Sequence, residues 1–269
     1  MREVISSLQN PRIKAAAKLR DRRGRDAQSR LVIDGVREIK MAASAGLRWS
    51  EVFLCGSNES SEPQLLANQL ESAGAEIVRA APQVFAKVAF GNRDEGIVAV
   101  AHTPRRTLGE FTVPPDSVIA VLEGIEKPGN VGAILRSADA AGIAGVLLVD
   151  SPADLFNPNT IRASQGAVFT LPVAVATVDE ALAWLRERSF RIAAARVDAT
   201  QYHFHADLSP PCAIVLGSEA HGLTERWQGG DVTPVALPMS GSTDSLNVSV
   251  TAGVLFYEAL RQASSEDDL

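Results

Sequence analysis

Three short stretches place glycines and small polar side chains directly after apolar runs. The first, "EGIEKPGNVGAILRSADAAG" at 123–142, carries Gly124, Gly129, Asn130, Gly132 and Arg136. The second, "IVLGSEAHGL" at 214–223, carries Gly217, Ser218, Glu219 and Gly222. The third, "ALPMSGSTDSLNVSV" at 236–250, carries Leu237, Met239, Asp244, Ser245, Leu246 and Asn247. Ligands of α/β sheets bind in loops that follow the carboxyl ends of strands. There, glycine lets a ligand approach bare backbone. Glu219 could meet a cationic or hydroxylated group, and the Arg136 fork suits a phosphate or a ribose. Arg136 lies off the Val131, Ile134, Leu135 and Ala138 stripe of its helix. Each feature also has an ordinary reading. Most helical arginines are solvated. Asn130 could cap one helix, and Ser245 or Asp244 the next. A cap needs one such residue, however, and a cap at 244 or 245 leaves Asn247 unaccounted for.

Other chemistries lack their residues. No G-x-G-x-x-G and no Gly-Lys-Ser/Thr occurs, so neither a dinucleotide fingerprint nor a Walker A loop is present. Cys55 and Cys212 lie far apart at the ends of apolar runs, which fits small core residues better than zinc or redox work. His203 and His205 are spaced for one face of a strand but have no third ligand nearby, so no metal is expected. His102 and His221 need no role. Trp49, Trp184 and Trp227 read as packing residues. No apolar run approaches the roughly 18 residues of a bilayer span. The N-terminus lacks an apolar signal core, so a cytoplasmic protein is expected.

These loops must be held by a scaffold. The chain has 269 residues, 46% of them hydrophobic, enough for one large domain or two ordinary ones. Strand and helix patterns alternate through 1–102, with helices expected at 11–23 and 35–46 and a strand at 30–34. Residues 103–116, "TPRRTLGEFTVPPD", read as a linker by composition. In 117–269 the strands are continuous apolar runs, as in a parallel sheet covered on both faces. "VFTLPVAVA" reads as extended. The last helix is expected from Leu246 onward, with Leu246, Val250, Val254 and Tyr257 on one face.

Charge is unevenly spread. The net charge of −6 argues against a general nucleic-acid binder. Yet residues 1–30 hold nine Lys or Arg against three acids, a net of +6, which leaves the remainder at −12. Such a segment, with Arg12, Lys14, Arg20, Arg22, Arg23 and Arg25, can attract phosphate, or it can be a solvated basic helix.

Together the runs N-V-G-A-I-x-R-S-A, L-G-S-E-x-x-G-L and L-P-M-x-G-x-x-x-S-L-N-V-S-V resemble the three motifs of the SpoU/TrmH family of RNA 2′-O-ribose methyltransferases, within the SPOUT superfamily. "FNPNTIRASQGAVFTLPV" is similar to that family too, and the resemblance covers 117–262. It implies an α/β fold: a C-terminal parallel-sheet domain with a deep trefoil knot, plus a smaller N-terminal α/β RNA-binding domain similar to a ribosomal-protein fold. It implies S-adenosyl-L-methionine as cofactor, held by Gly217, Ser218, Leu237, Met239, Leu246 and Asn247. Arg136 is implied as the key catalytic residue, with Asn130, Glu219, Ser245 and Asn247 orienting it, the ribose and the cofactor. A guanidinium is too basic to serve as a free base, so a clamp on phosphate and ribose oxygens is the expected role. A homodimer through the knot domain is also implied. Ribosomal RNA is the favoured substrate because of the appended domain. Transfer RNA, an antibiotic-resistance methylation of ribosomal RNA, and a non-catalytic RNA-binding assembly protein stay open.

Overall fold

The computed structural model describes residues 4–56, 61–90 and 95–264. Contacts divide the chain into two compact units, Met1–Arg105 with Asp154–Thr170, and Arg106–Ala153 with Leu171–Leu269.

The first unit begins with β1 (Val4–Ile5), α1 (Pro11–Lys18), α2 (Arg22–Gln28), β2 (Arg30–Asp34) and α3 (Val36–Ser44). It continues with β3 (Trp49–Leu54), α4 (Glu62–Ser72), β4 (Glu76–Ala80), α5 (Pro82–Val88) and β5 (Ile97–His102). The sheet order is β1-β4-β3-β5-β2. The first three strands run parallel; β5 is antiparallel to both β3 and β2. Ile13, Ala16 and Leu19 of the α1 region bury against Phe53, Val84, Phe85 and Val88.

The single helix expected at 11–23 is two helices, and the break has a physical cause. Gly24 lies so close to Lys18 that a Cβ there would overlap the Lys18 carbonyl. Arg25 then folds its guanidinium onto the carbonyls of Leu19 (2.6 Å) and Arg20 (2.8 Å). Carbonyls left without partners at the end of α1 are thereby satisfied by a side chain. Arg25 is 3% exposed and also pairs with Asp154.

The second unit opens with β6 (Val118–Glu123), α6 (Pro128–Ala140) and β7 (Gly145–Val149). The chain then forms α7 (Pro158–Ala163) and α8 (Ala167–Thr170), which belong to the first unit, where α7 packs on β2 and α8 on α3. It re-enters the second unit as β8 (Val173–Ala176), α9 (Val178–Glu187) and β9 (Arg191–Ala195). β10 (Cys212–Leu216), β11 (Val232–Val235) and α10 (Val248–Ala263) complete it. Its six strands are all parallel, in the order β11-β9-β10-β6-β7-β8. β6, β7 and β10 are buried along their whole length, as their continuous apolar runs require. α9, started by a Thr177–Glu180 capping box, packs Trp184 and Leu185 over the sheet together with Phe111 and Trp227.

Several expectations are corrected. Residues 106–116 are not a free linker: Phe111 is buried edge-on to Trp184, 5.3 Å between ring centroids, and Thr107 bridges to Val175. The contact division falls at 105/106 and also assigns 154–170 to the first unit. "VFT" is helical in α8, not extended, and β8 starts only after Pro172. His203 and His205 sit in a 3-10 turn, not a strand. The last helix starts at Val248, with Asn247 itself as the cap. Its buried face is Val248, Ala252, Leu255, Phe256 and Ala259. The stripe of Leu246, Val250, Val254 and Tyr257 is instead exposed, Tyr257 by 53%. Asn10 plays for α1 the part that Asn247 plays for α10, its side chain accepting the Arg12 N–H at 2.9 Å.

Candidate functional site

Parallel strands put the ends of β6, β10 and β11 at one edge of the sheet, so the loops after them meet there. β11 lies three strand positions from β6, about 14 Å at roughly 4.8 Å per strand. The chain between β11 and α10 crosses that span, and α10 then packs against α6 and β10.

Asn130 is the meeting point. It sits in the first turn of α6, whose cap is Lys127, so it is not the cap the sequence allowed. Its side-chain amide donates to the Glu219 carboxylate. Its side-chain oxygen accepts from Asn247 Nδ2 at 3.5 Å, a long contact. Asn247 Oδ1 meanwhile accepts the backbone N–H of Ser249 at 2.9 Å and the Ser249 hydroxyl at 2.6 Å. One residue thus starts α10 with its oxygen and reaches the other loops with its nitrogen. The first, second and third polar stretches are joined through Glu219, Asn130 and Asn247.

The loop after β10 is built tightly. Ser218 and Gly222 exchange backbone hydrogen bonds of 3.1 and 2.9 Å, and the Ser218 hydroxyl accepts from His221 N at 3.1 Å. At Gly217 a Cβ would overlap the backbone of Gly222, so only glycine fits. Gly124 has φ +63°, and a Cβ there would touch Ser218 at 3.6 Å.

Arg136 stands exposed on α6, while Val131, Ile134, Leu135 and Ala138 are fully buried beneath it. Ser245 is exposed in the turn before α10 and does not cap it. Leu237 is half-buried; Met239 and Leu246 are exposed apolar groups in the same crossing. Cys212 lies buried at the far end of β10, where burial pushes its thiol up to about 12, which removes it as a nucleophile. Among the described residues, no group of three or more His, Cys, Asp or Glu is placed to hold a metal, and no helix is long and apolar enough to cross a membrane.

Of the six basic residues proposed for RNA, three are occupied internally. Arg12 pairs with Glu51 and Glu76, each at 2.6 Å. Arg20 donates to the Ala89 carbonyl. Arg25 is buried as described. Lys14, Arg22 and Arg23 are exposed, Arg22 with Asp26 at 3.8 Å.

Sequence reasoning passed over Glu123 and Thr224. Glu123 ends β6, is 4% exposed, and accepts the Thr224 N–H at 2.8 Å and the Thr224 hydroxyl at 2.7 Å. The available signal was an acid closing an otherwise apolar strand run, "VIAVLE".

Comparison with known proteins fits this geometry. Residues 117–257 match the SpoU rRNA Methylase family, and residues 10–99 match an MRM3-like substrate binding domain. The chain is 30% identical over 258 residues to the 23S rRNA (uridine(2479)-2'-O)-methyltransferase of Streptomyces viridochromogenes, covering 93% of this chain and 88% of that protein. A crystal structure of an RNA 2'-O ribose methyltransferase is 40% identical with a TM-score of 0.82, covering 97% of this chain and 99% of the other. The SpoU methyltransferase AviRb from Streptomyces viridochromogenes, solved with the cofactor AdoMet, is 28% identical with a TM-score of 0.84, covering 94% and 98%. With its matched domain spanning all three converging loops, the chain belongs to the SpoU rRNA methylase family.

Proposed function

We propose that the protein is an S-adenosylmethionine-dependent methyltransferase acting on a ribose 2′-hydroxyl of ribosomal RNA. One observation carries the reading: Asn130 links Glu219 and Asn247, so polar groups far apart in the chain meet at the first turn of the helix that carries Arg136. The relatives named above act on 23S rRNA or RNA, and AviRb binds AdoMet, which supports both substrate and cofactor.

The residues present fit the cofactor chemically. Leu237, Met239 and Leu246 offer apolar surface for an adenine or a methionine chain, and Gly217, Ser218 and Asn247 offer backbone and polar groups. When bound, S-adenosylmethionine supplies an electrophilic methyl group whose leaving group is a neutral thioether. Arg136 then grips the phosphate and ribose oxygens of the target nucleotide bidentately. Asn130, held between Glu219 and Asn247, fixes the first turn of the helix that carries Arg136. Ser245, exposed in the adjoining turn, hydrogen-bonds the ribose or the cofactor. Orientation, rather than acid strength, is what the chain contributes; the hydroxyl proton passes to phosphate or water.

A deep knot is the natural completion of this topology. β10 inserts between β9 and β6, the chain passes outside β9 to form β11, and α10 returns to α6. The exposed Leu246, Val250, Val254 and Tyr257 stripe supports a homodimer through this domain. The first unit, with Lys14, Arg22 and Arg23 exposed on its surface, holds the RNA, and the setting is the cytoplasm. Mapping 2′-O-methyl sites in ribosomal RNA from cells with and without the gene tests the substrate. Loss of a single ribose methylation in 23S RNA supports the reading; unchanged ribosomal RNA with a lost tRNA methylation moves the substrate.

A further inference from the structure

Glu123 is a carboxylate 4% exposed at the end of a fully buried strand. Burying it is costly unless its oxygens are occupied. Both are: one accepts Thr224 N–H at 2.8 Å, the other the Thr224 hydroxyl at 2.7 Å. Thr224 stands just beyond the Gly217–Leu223 loop, and Glu123 just before Gly124, which faces Ser218. The loop is therefore closed at two points. The Ser218–Gly222 backbone pair closes its middle, and the Glu123–Thr224 pair anchors its exit to the neighbouring strand.

We infer that Glu123 is a positioning residue that holds the 217–224 loop, through Thr224, in the conformation that binds the cofactor. The inference rests on the reading of that loop as a cofactor loop. A loop fixed before binding does not lose conformational freedom on binding, so the anchor acts on cofactor affinity. Hydrogen bonds to a charged acceptor are the strong class. Thr224→Val removes one of the two bonds and keeps the backbone N–H. Thr224→Ser keeps both. Glu123→Gln can accept the N–H with its oxygen but turns a donor toward the hydroxyl. Glu123→Ala removes both acceptors.

The test is calorimetric titration of the full-length protein with S-adenosylhomocysteine, together with amide exchange across the loop. Thr224→Val is expected to weaken binding by about tenfold, Glu123→Ala by at least as much, and Glu123→Gln by less. Thr224→Ser should match wild type. Exchange should quicken at 218–223 and stay unchanged in β6 and β10, a pattern that general destabilisation would not give. Wild-type affinity in Thr224→Val, or a deficit that Thr224→Ser shares, overturns the inference. If Glu123→Ala does not fold, the two Thr224 variants still decide it. Failure of the wild-type protein to bind either S-adenosylhomocysteine or S-adenosylmethionine overturns the cofactor reading itself instead.

Discussion

The basic segment near the N-terminus and the polar loops at the edge of the parallel sheet offer similar promise as strings of residues. Their fates differ. In the basic segment, Arg12, Arg20 and Arg25 turn inward to carboxylates and carbonyls of their own unit. In the loops, Asn130 bonds across the chain to Glu219 and Asn247, which stay exposed at the first turn of the helix that carries Arg136. Long cationic side chains can reach back to unsatisfied helix ends, so their number overstates the free charge. Short polar side chains cannot reach far, so when they meet across the chain the backbone has brought them together.

That contrast can be broken or sharpened by substitution. The largest effect is expected at Arg136. Arg136→Ala should lower methyl transfer by about 10³ while cofactor affinity and the unfolding midpoint hold. Turnover near the wild-type rate would remove Arg136 from the mechanism. Next comes Arg25→Ala, which strands a half-buried Asp154 carboxylate and two carbonyls. It should cost about 3 kcal/mol in urea unfolding, with little direct effect on RNA affinity. A variant of unchanged stability that binds RNA poorly would reverse the assignment of Arg25.

Asn247 separates two duties. Asn247→Ala should lose a helix cap, about 1 kcal/mol, as well as turnover. Asn247→Asp keeps the acceptor toward Ser249 but not the donor toward Asn130. It should therefore retain stability and still lose activity; full activity in this variant would reduce Asn247 to a cap. The smallest effect is expected from reversing Arg22 and Arg23 to Glu. RNA affinity should fall several-fold and its dependence on log salt should flatten, with stability unchanged. An unaltered salt slope would place the RNA elsewhere.

The parallel sheet was legible because continuous apolar runs such as "GVLLV" and "CAIVL" announce strands covered on both faces. Asn130, Glu219 and Asn247, which meet at the sheet edge, were legible through motif resemblance and small-residue loops. Three things were not. The break after Lys18 depends on contact between Gly24 and a carbonyl six residues earlier, which helical periodicity does not encode. The exposed stripe of α10 has the same spacing as a buried one, and only the packing of α6 and β10 against Ala252, Leu255 and Phe256 decides between them. The Glu123–Thr224 pair joins the last residue of one strand to the loop after its neighbour, and neither belongs to a recognised pattern.

The excursion of residues 154–170 into the first unit bears on how the polypeptide can be divided. Cutting near residue 110 would not release two self-sufficient pieces. The shorter fragment would keep Arg25 without Asp154, and its β2 and α3 would lose α7 and α8. The longer would carry Ile161, Val168 and Phe169 stripped of their cover. Anyone wishing to study the halves apart must transplant that piece, because covalent order and ownership of the fold part company there.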